Sequence, residues 1–293
     1  MRFIQFKNIY KFRIIMKYMK RGKEVIAIDL GGSNLRTALV KDNKIIREIK
    51  GKTPDKKKEL LEALCYSISN LMSNEIKGIG IGAPGPLKNG IIINPPNIPL
   101  KNFNLREFLK KKFNTRVEIE NDAKCAAWAE FKLGAGKGRK NFFILTLGTG
   151  IGGGIIIDGK LYNKENIGGE LGNIYLGEKT FEEFAGGKAI DGITKREFGR
   201  EFNVNELINM NDSKSREILN EISEYIAQGI GSLINVFNPE IVVLAGGMRE
   251  AGEKFLNMIR QKTKKYIFLP ASYNIVWSKL EEPGILGAAL LID

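Results

Sequence analysis

The sequence predicts an α/β protein made of two similar domains with a cleft between them. Two apolar segments rich in β-branched residues, 25–40 and 142–157, each reach a glycine-rich bend and continue as a second apolar segment. This pattern predicts a β-hairpin in both places, and helix-like segments follow each hairpin. Because glycine leaves backbone N–H groups unobstructed, two bends that face each other across a cleft offer a site for a polyphosphate.

The first domain is expected to span residues 24–120. The first hairpin is followed by a third strand at residues 45–46, a helix with apolar residues at helical spacing, a buried strand that runs into a rigid loop, and a proline-rich loop that excludes regular structure. A second helix and a last strand complete the domain. In order, these later segments are residues 56–76, 79–86, 94–99, 105–113 and 116–120.

The second domain is expected to span residues 121–283. It begins with a helix over 121–134, which has Asn and Asp at its start, alanine in its body and Gly at its end. After the second hairpin we expect three helices, a buried strand stopped by a Gly-Gly turn and a short terminal helix, at residues 181–202, 204–210, 213–237, 241–247 and 284–292. The terminal segment 284–293 is expected to join the first domain.

Composition limits the possible chemistry. With 293 residues, 43% of them hydrophobic and 27% charged, the chain has a globular composition and is long enough for two domains. No apolar run approaches the roughly 18 residues that span a bilayer. The two cysteines fit a reducing compartment, so we expect a cytoplasmic protein. Histidine is absent, which excludes Ser-His-Asp catalysis and His-bound metals, so acid–base chemistry falls chiefly on carboxylates.

The net charge of +13 is concentrated at the N-terminus, where residues 1–24 carry eight basic side chains and one acid. The body is only mildly basic, so we expect neither nucleic acid nor a membrane as a partner. Residues 1–23 form a basic extension with two interpretations. It is an amphipathic membrane-surface helix or basic arm, or it arises from an upstream start codon ahead of Met16 or Met19.

Asp29 ends the first apolar strand, where a carboxylate is costly unless it meets water, a donor or a cation. The bend that follows offers Gly31, Gly32, Ser33 and Asn34. Since Mg²⁺ prefers oxygen ligands and neutralises phosphates, Asp29 is a candidate magnesium residue beside a phosphate-binding bend. The alternative is an Asp that only stabilises the turn.

Asp122 is the candidate general base. A helix N-cap alone explains an Asn-Asp pair before an alanine-rich helix. Here, however, Asp122 lies between the two hairpins in the sequence, and no histidine is available as a base. A carboxylate that is hydrogen-bonded to a substrate hydroxyl can accept its proton while the oxygen attacks a γ-phosphoryl group. Glu170 and Glu182 are candidates to bind further hydroxyls, or they are solvated acids.

The second bend also fits a weaker motif. Residues 148–153 satisfy the Gly-x-Gly-x-x-Gly dinucleotide fingerprint, with Glu170 near the spacing of the ribose-binding acid. That fingerprint must open a helix, whereas a strand follows here, which argues against an oxidoreductase. A purely structural glycine-rich hairpin is the remaining alternative.

Three motifs together resemble the ROK family of sugar kinases and repressors, within the actin/hexokinase-like ATPase superfamily. Residues 29–38 resemble the first phosphate motif, residues 147–154 with 158–162 resemble the second, and residues 244–248 resemble the adenosine motif. The similarity extends from about Glu24 to the C-terminus. It implies two duplicated ribonuclease-H-like (actin/hexokinase-like) domains with an interdomain cleft.

The resemblance also implies roles for single residues. Asp122 is the implied catalytic base, with ATP and Mg²⁺ as the co-substrate and metal. Sugar-hydroxyl ligands are implied at Asn97, Asn121, Asp122, Glu170 and Glu182, and nucleotide-binding positions at Gly31, Gly32, Ser33, Asn34, Gly148, Thr149, Gly150, Gly246 and Gly247. Many family members carry a histidine and a cysteine cluster that binds zinc, where this chain has Asn173 and no cysteine, so zinc is not expected.

The predicted function is therefore ATP-dependent phosphorylation of a hexose, with glucose O6 as the expected acceptor. Asn173 is still able to donate a hydrogen bond to a hydroxyl, and its presence makes broad hexose specificity an expectation. N-acetylglucosamine and N-acetylmannosamine are the alternative substrates. A sugar-responsive transcription regulator is the alternative from another class. A homodimer is a possible assembly, as in proteins that the chain resembles.

Overall fold

The computed structural model describes residues 24–95, 97–163, 167–268 and 273–292, so the predicted basic extension lies outside the described residues. In chain order the strands are β1 (Glu24–Leu30), β2 (Asn34–Lys41), β3 (Lys44–Lys52), β4 (Ile76–Ala83), β5 (Leu87–Lys88), β6 (Ile91–Ile92), β7 (Phe103–Asn104), β8 (Val117–Asn121), β9 (Phe142–Leu147), β10 (Ile151–Ile157), β11 (Lys160–Leu161), β12 (Ile241–Ala245) and β13 (Ile275–Trp277).

The α-helices surround two of the sheets that these strands form. In chain order they are α1 (Lys57–Leu71), α2 (Leu105–Phe113), α3 (Asp122–Leu133), α4 (Phe181–Ala185), α5 (Gly187–Phe198), α6 (Val204–Met210), α7 (Ser213–Phe237), α8 (Gly252–Thr263) and α9 (Pro283–Leu290). Among the described residues, no helix is both long and apolar enough to cross a membrane.

Two mixed five-stranded sheets share one strand order. The first runs β3-β2-β1-β4-β8 and the second β11-β10-β9-β12-β13. In each, the first three strands along the chain form antiparallel neighbours, and the remaining two add in parallel to the other edge of the hairpin. Both predicted hairpins, β1–β2 and β9–β10, are thereby confirmed, as is the third strand, β3. A small antiparallel sheet, β5-β6-β7, stands apart.

Each large sheet has its own apolar core. Leu60, Leu64 and Ile68 of α1 recur at helical spacing and pack beneath the first sheet. On the second sheet, the long helix α7 buries a stripe that includes Ile222 and Ile226. The alternation of β-branched strands and amphipathic helices in the sequence therefore produces two layered cores.

Helices α3 and α9 pack together beside the first sheet because small residues allow close backbone approach. A Cβ atom added to Gly80 of β4 would lie 1.8 Å from the carbonyl oxygen of Ala288 in α9, and one added to Gly287 of α9 would lie 1.8 Å from that of Cys125 in α3. Gly80 and Gly287 are thus packing glycines. As predicted, the terminal helix joins the first sheet, with Ile285 buried against it.

Three predictions differ from the structure. The helix predicted over residues 181–202 is two helices, α4 and α5, separated at Gly186, whose backbone is extended (φ −71°, ψ 158°). The helix predicted over 56–76 ends at Leu71, because residues 76–83 form β4. Strands β5–β7, β11 and β13 were not predicted, since strands of two or three residues carry no readable period. Helix α8 was missed although Phe255, Leu256 and Ile259 recur at helical spacing and are buried.

Candidate active site

One cavity of about 610 Å³ brings together residues from the predicted phosphate, base and adenosine motifs. Asp29 at the end of β1, Asp122 at the start of α3, and Gly246 and Gly247 after β12 all line it. The lining does not include the predicted sugar ligands Asn97, Asn121, Glu170, Asn173 and Glu182, nor the two predicted phosphate-binding bends at residues 31–34 and 148–150. Thus Asp29 and Asp122 share a space with two of the predicted nucleotide-binding glycines, Gly246 and Gly247.

Asp29 is partly buried at the end of β1 and lies near another carboxylate, Asp122. Burial, together with the negative charge of Asp122, raises the pKa of Asp29 to about 7, although Arg36 acts in the opposite direction. Arg36 is paired with Asp29 across the β1–β2 ladder and also forms ion pairs with Glu48, at 3.1 Å, and with Glu282. Two mutually repelling carboxylates form an anionic site that a cation would stabilise, so these residues fit Mg²⁺, which needs only one or two protein carboxylates.

Asp122 does not cap its helix, because Asn121 does. The Asn121 Oδ1 atom accepts a hydrogen bond from the Lys124 N–H at 3.1 Å, which makes Asn121 the N-cap of α3. Asp122 is the first helical residue, and its Oδ1 accepts from the Ala123 N–H at 2.8 Å. Burial raises its pKa, and this backbone hydrogen bond lowers it. The capping alternative for Asp122 therefore does not hold.

Glycines in β10 bring Asp122 into the cavity. A Cβ on Gly152 would lie 2.8 Å from the Cβ of Ala123, and one on Gly154 would lie 2.5 Å from that of Ala127. These glycines lie within the strand rather than in the bend. From the sequence alone, these glycines look like a continuation of the phosphate-binding bend. In the structure, they instead allow α3 to lie close against the second sheet.

The first bend is closed by a residue that the sequence analysis did not single out. The Gly31 N–H donates to the Asn34 carbonyl at 2.9 Å. The Thr53 hydroxyl donates to the Gly31 carbonyl at 2.6 Å, and the Thr53 N–H donates to the Ser33 carbonyl at 3.0 Å. Ser33 and Asn34 are exposed. These hydrogen bonds stabilise the backbone of the bend, and none of them uses the side chain of Ser33 or Asn34.

The second bend is held by the first residues of α5 and by Glu182 of α4. The Gly187 N–H donates to the Gly148 carbonyl at 2.9 Å, and the Lys188 N–H donates to the Thr149 carbonyl at 3.0 Å. A carboxylate oxygen of Glu182 accepts from the Ile151 N–H at 2.7 Å, immediately after Gly150. Glu182, predicted as a sugar ligand, therefore also supports this bend with one oxygen.

Asn97 and Lys188 connect the two bends. A Cβ on Gly32 would lie 2.5 Å from the Cβ of Asn97, so Asn97 packs directly against the first bend. The Lys188 Nζ donates to the Asn97 Oδ1 at 2.8 Å, and the Lys188 backbone is bonded to the second bend. The two glycine-rich bends consequently lie on either side of this pair of side chains.

Glu170 and Asn173 lie together on the exposed side of a short 3₁₀ turn, Leu171–Asn173. The Asn173 N–H donates to the Glu170 carbonyl at 3.1 Å. Partial burial raises the pKa of the Glu170 carboxyl, Lys124 lowers it, and the charges of Asp122 and Glu182 raise it. Glu170 therefore shares its surroundings with two other predicted sugar-site carboxylates.

Gly246 is the one residue of the adenosine motif that requires glycine. Its φ is +92°, and a Cβ there would lie 2.5 Å from the Leu147 carbonyl oxygen, just before the second bend. The Gly-Gly turn at the end of β12 therefore packs against the end of β9. This contact places the third predicted motif beside the second.

The three motifs, in this order and in this arrangement, agree with the comparison of the chain to known families. The model of the ROK family matches residues 25–293. The chain belongs to the ROK family. Its relatives include the glucokinase of Thermotoga maritima, at 31% identity over 307 residues that cover 92% of this chain and 97% of that protein.

Other ROK proteins show how widely the fold is used. A xylose repressor of Bacillus spizizenii is 28% identical over 291 residues, which cover 91% of this chain and 76% of the repressor. The crystal structure of a ROK family glucokinase from Streptomyces griseus in complex with glucose and AMPPNP superposes with a TM-score of 0.84, at 24% identity over 92% of this chain and 98% of that one. These comparisons confirm the predicted family and enzyme class, an ATP-dependent sugar kinase, and the structural match agrees with the predicted α/β fold class.

Proposed function

We propose that this protein transfers the γ-phosphoryl group of ATP to a hexose, with O6 of glucose as the acceptor. The observation that carries the proposal is the single cavity shared by Asp29, Asp122, Gly246 and Gly247. It combines a candidate metal ligand, a candidate base and a candidate nucleotide site in one place. The T. maritima relative named glucokinase supports glucose as the first sugar to test.

The two sheets and their shared strand order support a duplicated pair of domains, residues 24–120 with the terminal helix and residues 121–283, that close over the cleft. The bends at 31–34 and 148–150 would hold the phosphates through backbone N–H groups and hydroxyls, and Gly246 and Gly247 would contact the adenosine. Asp29 would hold Mg²⁺, which neutralises negative charge on the phosphates. This chemistry also fits the cytoplasmic location that the cysteine content predicts.

Asp122 would accept the proton of the attacking hydroxyl. Burial raises its pKa, and a carboxylate with a raised pKa is a stronger base than an exposed aspartate once it is ionised. The Ala123 N–H fixes one of its oxygens, so the carboxylate cannot rotate freely. Positioning and charge neutralisation supply most of the remaining acceleration in phosphoryl transfer.

The remaining hydroxyls of the sugar would be bound by side chains outside the lining of the cavity, namely Asn97, Asn121, Glu170, Asn173 and Glu182. Three of them already have partners. Asn97 accepts a hydrogen bond from Lys188, Asn121 accepts one from the Lys124 N–H, and Glu182 accepts one from the Ile151 N–H. A carboxylate has four acceptor sites and an amide can also donate, so all three retain capacity for a hydroxyl.

The sugar is tested by ADP release from ATP and Mg²⁺ in the presence of glucose, mannose, glucosamine, N-acetylglucosamine or N-acetylmannosamine. We expect the highest kcat/KM with glucose and measurable turnover with mannose. Asp42→Asn is the matched control, because Asp42 lies in the β2–β3 turn away from the cavity. Preference for an acetylated sugar would replace the hexose proposal with the N-acetylhexosamine alternative.

The regulator alternative is tested separately, because a xylose repressor is among the relatives. A gel shift with operator-like DNA at several salt concentrations would show sugar-sensitive binding if the protein regulates transcription. We expect no such complex. DNA binding that sugar abolishes, together with no sugar-dependent ADP release from any sugar in the panel, would overturn the kinase proposal.

A further inference from the structure

Lys124 is a fully buried lysine beside the candidate sugar site. It is the third residue of α3, only 1% exposed, in a helix whose other buried positions are mainly alanine. A buried ammonium is costly unless it is paired or hydrogen-bonded, and a helix that needed only packing would place an apolar residue here. The presence of this charge therefore requires an explanation.

The Lys124 ammonium is part of a polar network. Its Nζ donates to the Asn163 Oδ1 at 3.0 Å, and the Asn163 amide donates to a carboxylate oxygen of Glu120. The other Glu120 oxygen accepts from the Asn121 N–H at 2.7 Å. Glu120, at 8% exposure, is buried as well. The network thus joins the end of β8, the start of α3 and the chain after β11.

The Lys124 side chain also lies close to Gly169, the residue that precedes Glu170. A Cβ atom added to Gly169 would lie 3.9 Å from the Lys124 Cε, so the end of the Lys124 side chain is close to this loop. Lys124 follows Asp122 by two positions, so the two side chains leave the helix on roughly opposite faces. Asp122 lines the cavity of the candidate nucleotide site, whereas Lys124 faces the loop of Glu170.

We propose that Lys124 is a positioning residue of the sugar site, whose buried ammonium, linked through Asn163 to Glu120, also acts as a counter-charge for the nearby Glu170 and holds that carboxylate in place to accept a sugar hydroxyl. The proposal rests on the proposed function for the identity of the ligand. When a sugar covers Glu170 and displaces water, the negative charges of Asp122 from α3 and Glu182 from α4 disfavour its ionised form. Lys124 is the cation that opposes them.

The proposal predicts a pH dependence. Loss of the positive charge raises the pKa of Glu170 further, so the carboxylate becomes protonated at a higher pH and loses an acceptor. In Lys124→Gln, which can still donate to Asn163, we expect the KM for glucose to rise roughly three- to tenfold between pH 8 and pH 5.5, against less than about twofold in the wild type. In Glu170→Gln, KM should be high and independent of pH.

Lys132→Met is the matched control, because Lys132 is an exposed lysine of the same helix. Its KM profile should follow the wild type. A profile of Lys124→Gln that parallels the wild type, with only a uniform fall in activity, would overturn the positioning role and leave Lys124 as a packing residue.

A double-mutant cycle provides a readout that does not depend on turnover. The free energies of unfolding of the wild type, Lys124→Gln, Glu170→Gln and the double variant are measured in urea at pH 7. We expect the double variant to lose less free energy of unfolding than the two single variants lose together. In the double variant, Glu170 is neutral as well, so the loss of Lys124 no longer leaves a carboxylate without its counter-charge. Strict additivity would contradict the pairing, whatever the enzyme phosphorylates. Coupling without wild-type turnover on any sugar would instead contradict the proposed function.

Discussion

Substitution of Asp122 by Asn isolates proton transfer from binding and folding. Asn keeps an oxygen that can accept the Ala123 N–H hydrogen bond, which is 2.8 Å long in the structure, so the side chain should stay in place. It cannot accept the proton of a hydroxyl. General-base catalysis contributes about 10²- to 10⁴-fold, so kcat should fall by that factor, which corresponds to about 3 to 5.5 kcal/mol.

Stability should change little in Asp122→Asn. Asn121 caps α3, so the capping energy of about 1 kcal/mol is retained. The lost attraction between an acid and the helix N-terminus, about 0.3 to 1 kcal/mol, is offset by removal of the repulsion between Asp122 and Asp29. The free energy of unfolding should therefore change by less than about 1 kcal/mol.

The assays are kcat by coupled ADP release and sugar affinity by titration calorimetry, with urea denaturation as the folding control. We expect a sugar Kd within about threefold of the wild type, since only one of several hydroxyl contacts is altered. The reasoning would be refuted by a kcat within a fewfold of the wild type. It would also be refuted by a loss that appears wholly in Kd or in stability.

Three further predictions concern pH, packing and cleft contacts. Because the pKa of Asp29 is about 7 in the folded protein against an ordinary 3.8, the folded state keeps a proton that the unfolded state loses, so in EDTA the free energy of unfolding should fall by up to about 4 kcal/mol from pH 4 to pH 7. Urea denaturation of Asp29→Asn should show a smaller fall, and parallel curves would contradict the assignment. In urea denaturation, Gly287→Ala should lower the free energy of unfolding by about 3 kcal/mol, because its Cβ would lie 1.8 Å from the Cys125 carbonyl oxygen. A Cβ on Gly192 has no atom within 4 Å, so Gly192→Ala should raise the free energy of unfolding by up to about 1 kcal/mol. Equal effects of the two substitutions would refute the packing argument. Lys188→Met removes the 2.8 Å hydrogen bond to Asn97, so small-angle scattering of the ligand-free protein should show a larger radius of gyration. The free energy of unfolding should stay within about 0.5 kcal/mol of the wild type. An unchanged radius of gyration would show that this hydrogen bond does not hold the two bends together.

The sequence predicted most of the elements with a strong period and missed the short strands that have none, although it also missed the amphipathic helix α8. The β-branched runs of β1–β2 and β9–β10, and the apolar stripe of α7, are long enough to read. Strands β5–β7 have two residues each. The break at Gly186 was missed because the apolar spacing continues across it, while the chain there turns back to bond with the second bend.

The candidate site was predicted residue by residue only where a local motif exists. Asn121 and Asp122 are both good capping residues, and only the structure separates the cap from the residue that faces the cavity. Lys188 and Asn97 are 91 positions apart, and Thr53 lies 22 positions from Gly31, so neither contact has a local signal. Lys124 did have one, since it is a lone lysine among alanines at the start of α3, but its burial depends on the tertiary packing of β10 and the Glu170 loop.

The central claim is that Asp29 and Asp122 share a site in which a phosphoryl group passes from ATP to a sugar. The most direct test is ³¹P NMR of a reaction that contains the protein, ATP, Mg²⁺ and glucose. The account predicts one hexose 6-phosphate for each ADP formed, and both products formed about 10²- to 10⁴-fold more slowly with Asp122→Asn. ADP without a phosphorylated sugar, or no product with glucose or any other sugar of the panel, would contradict it.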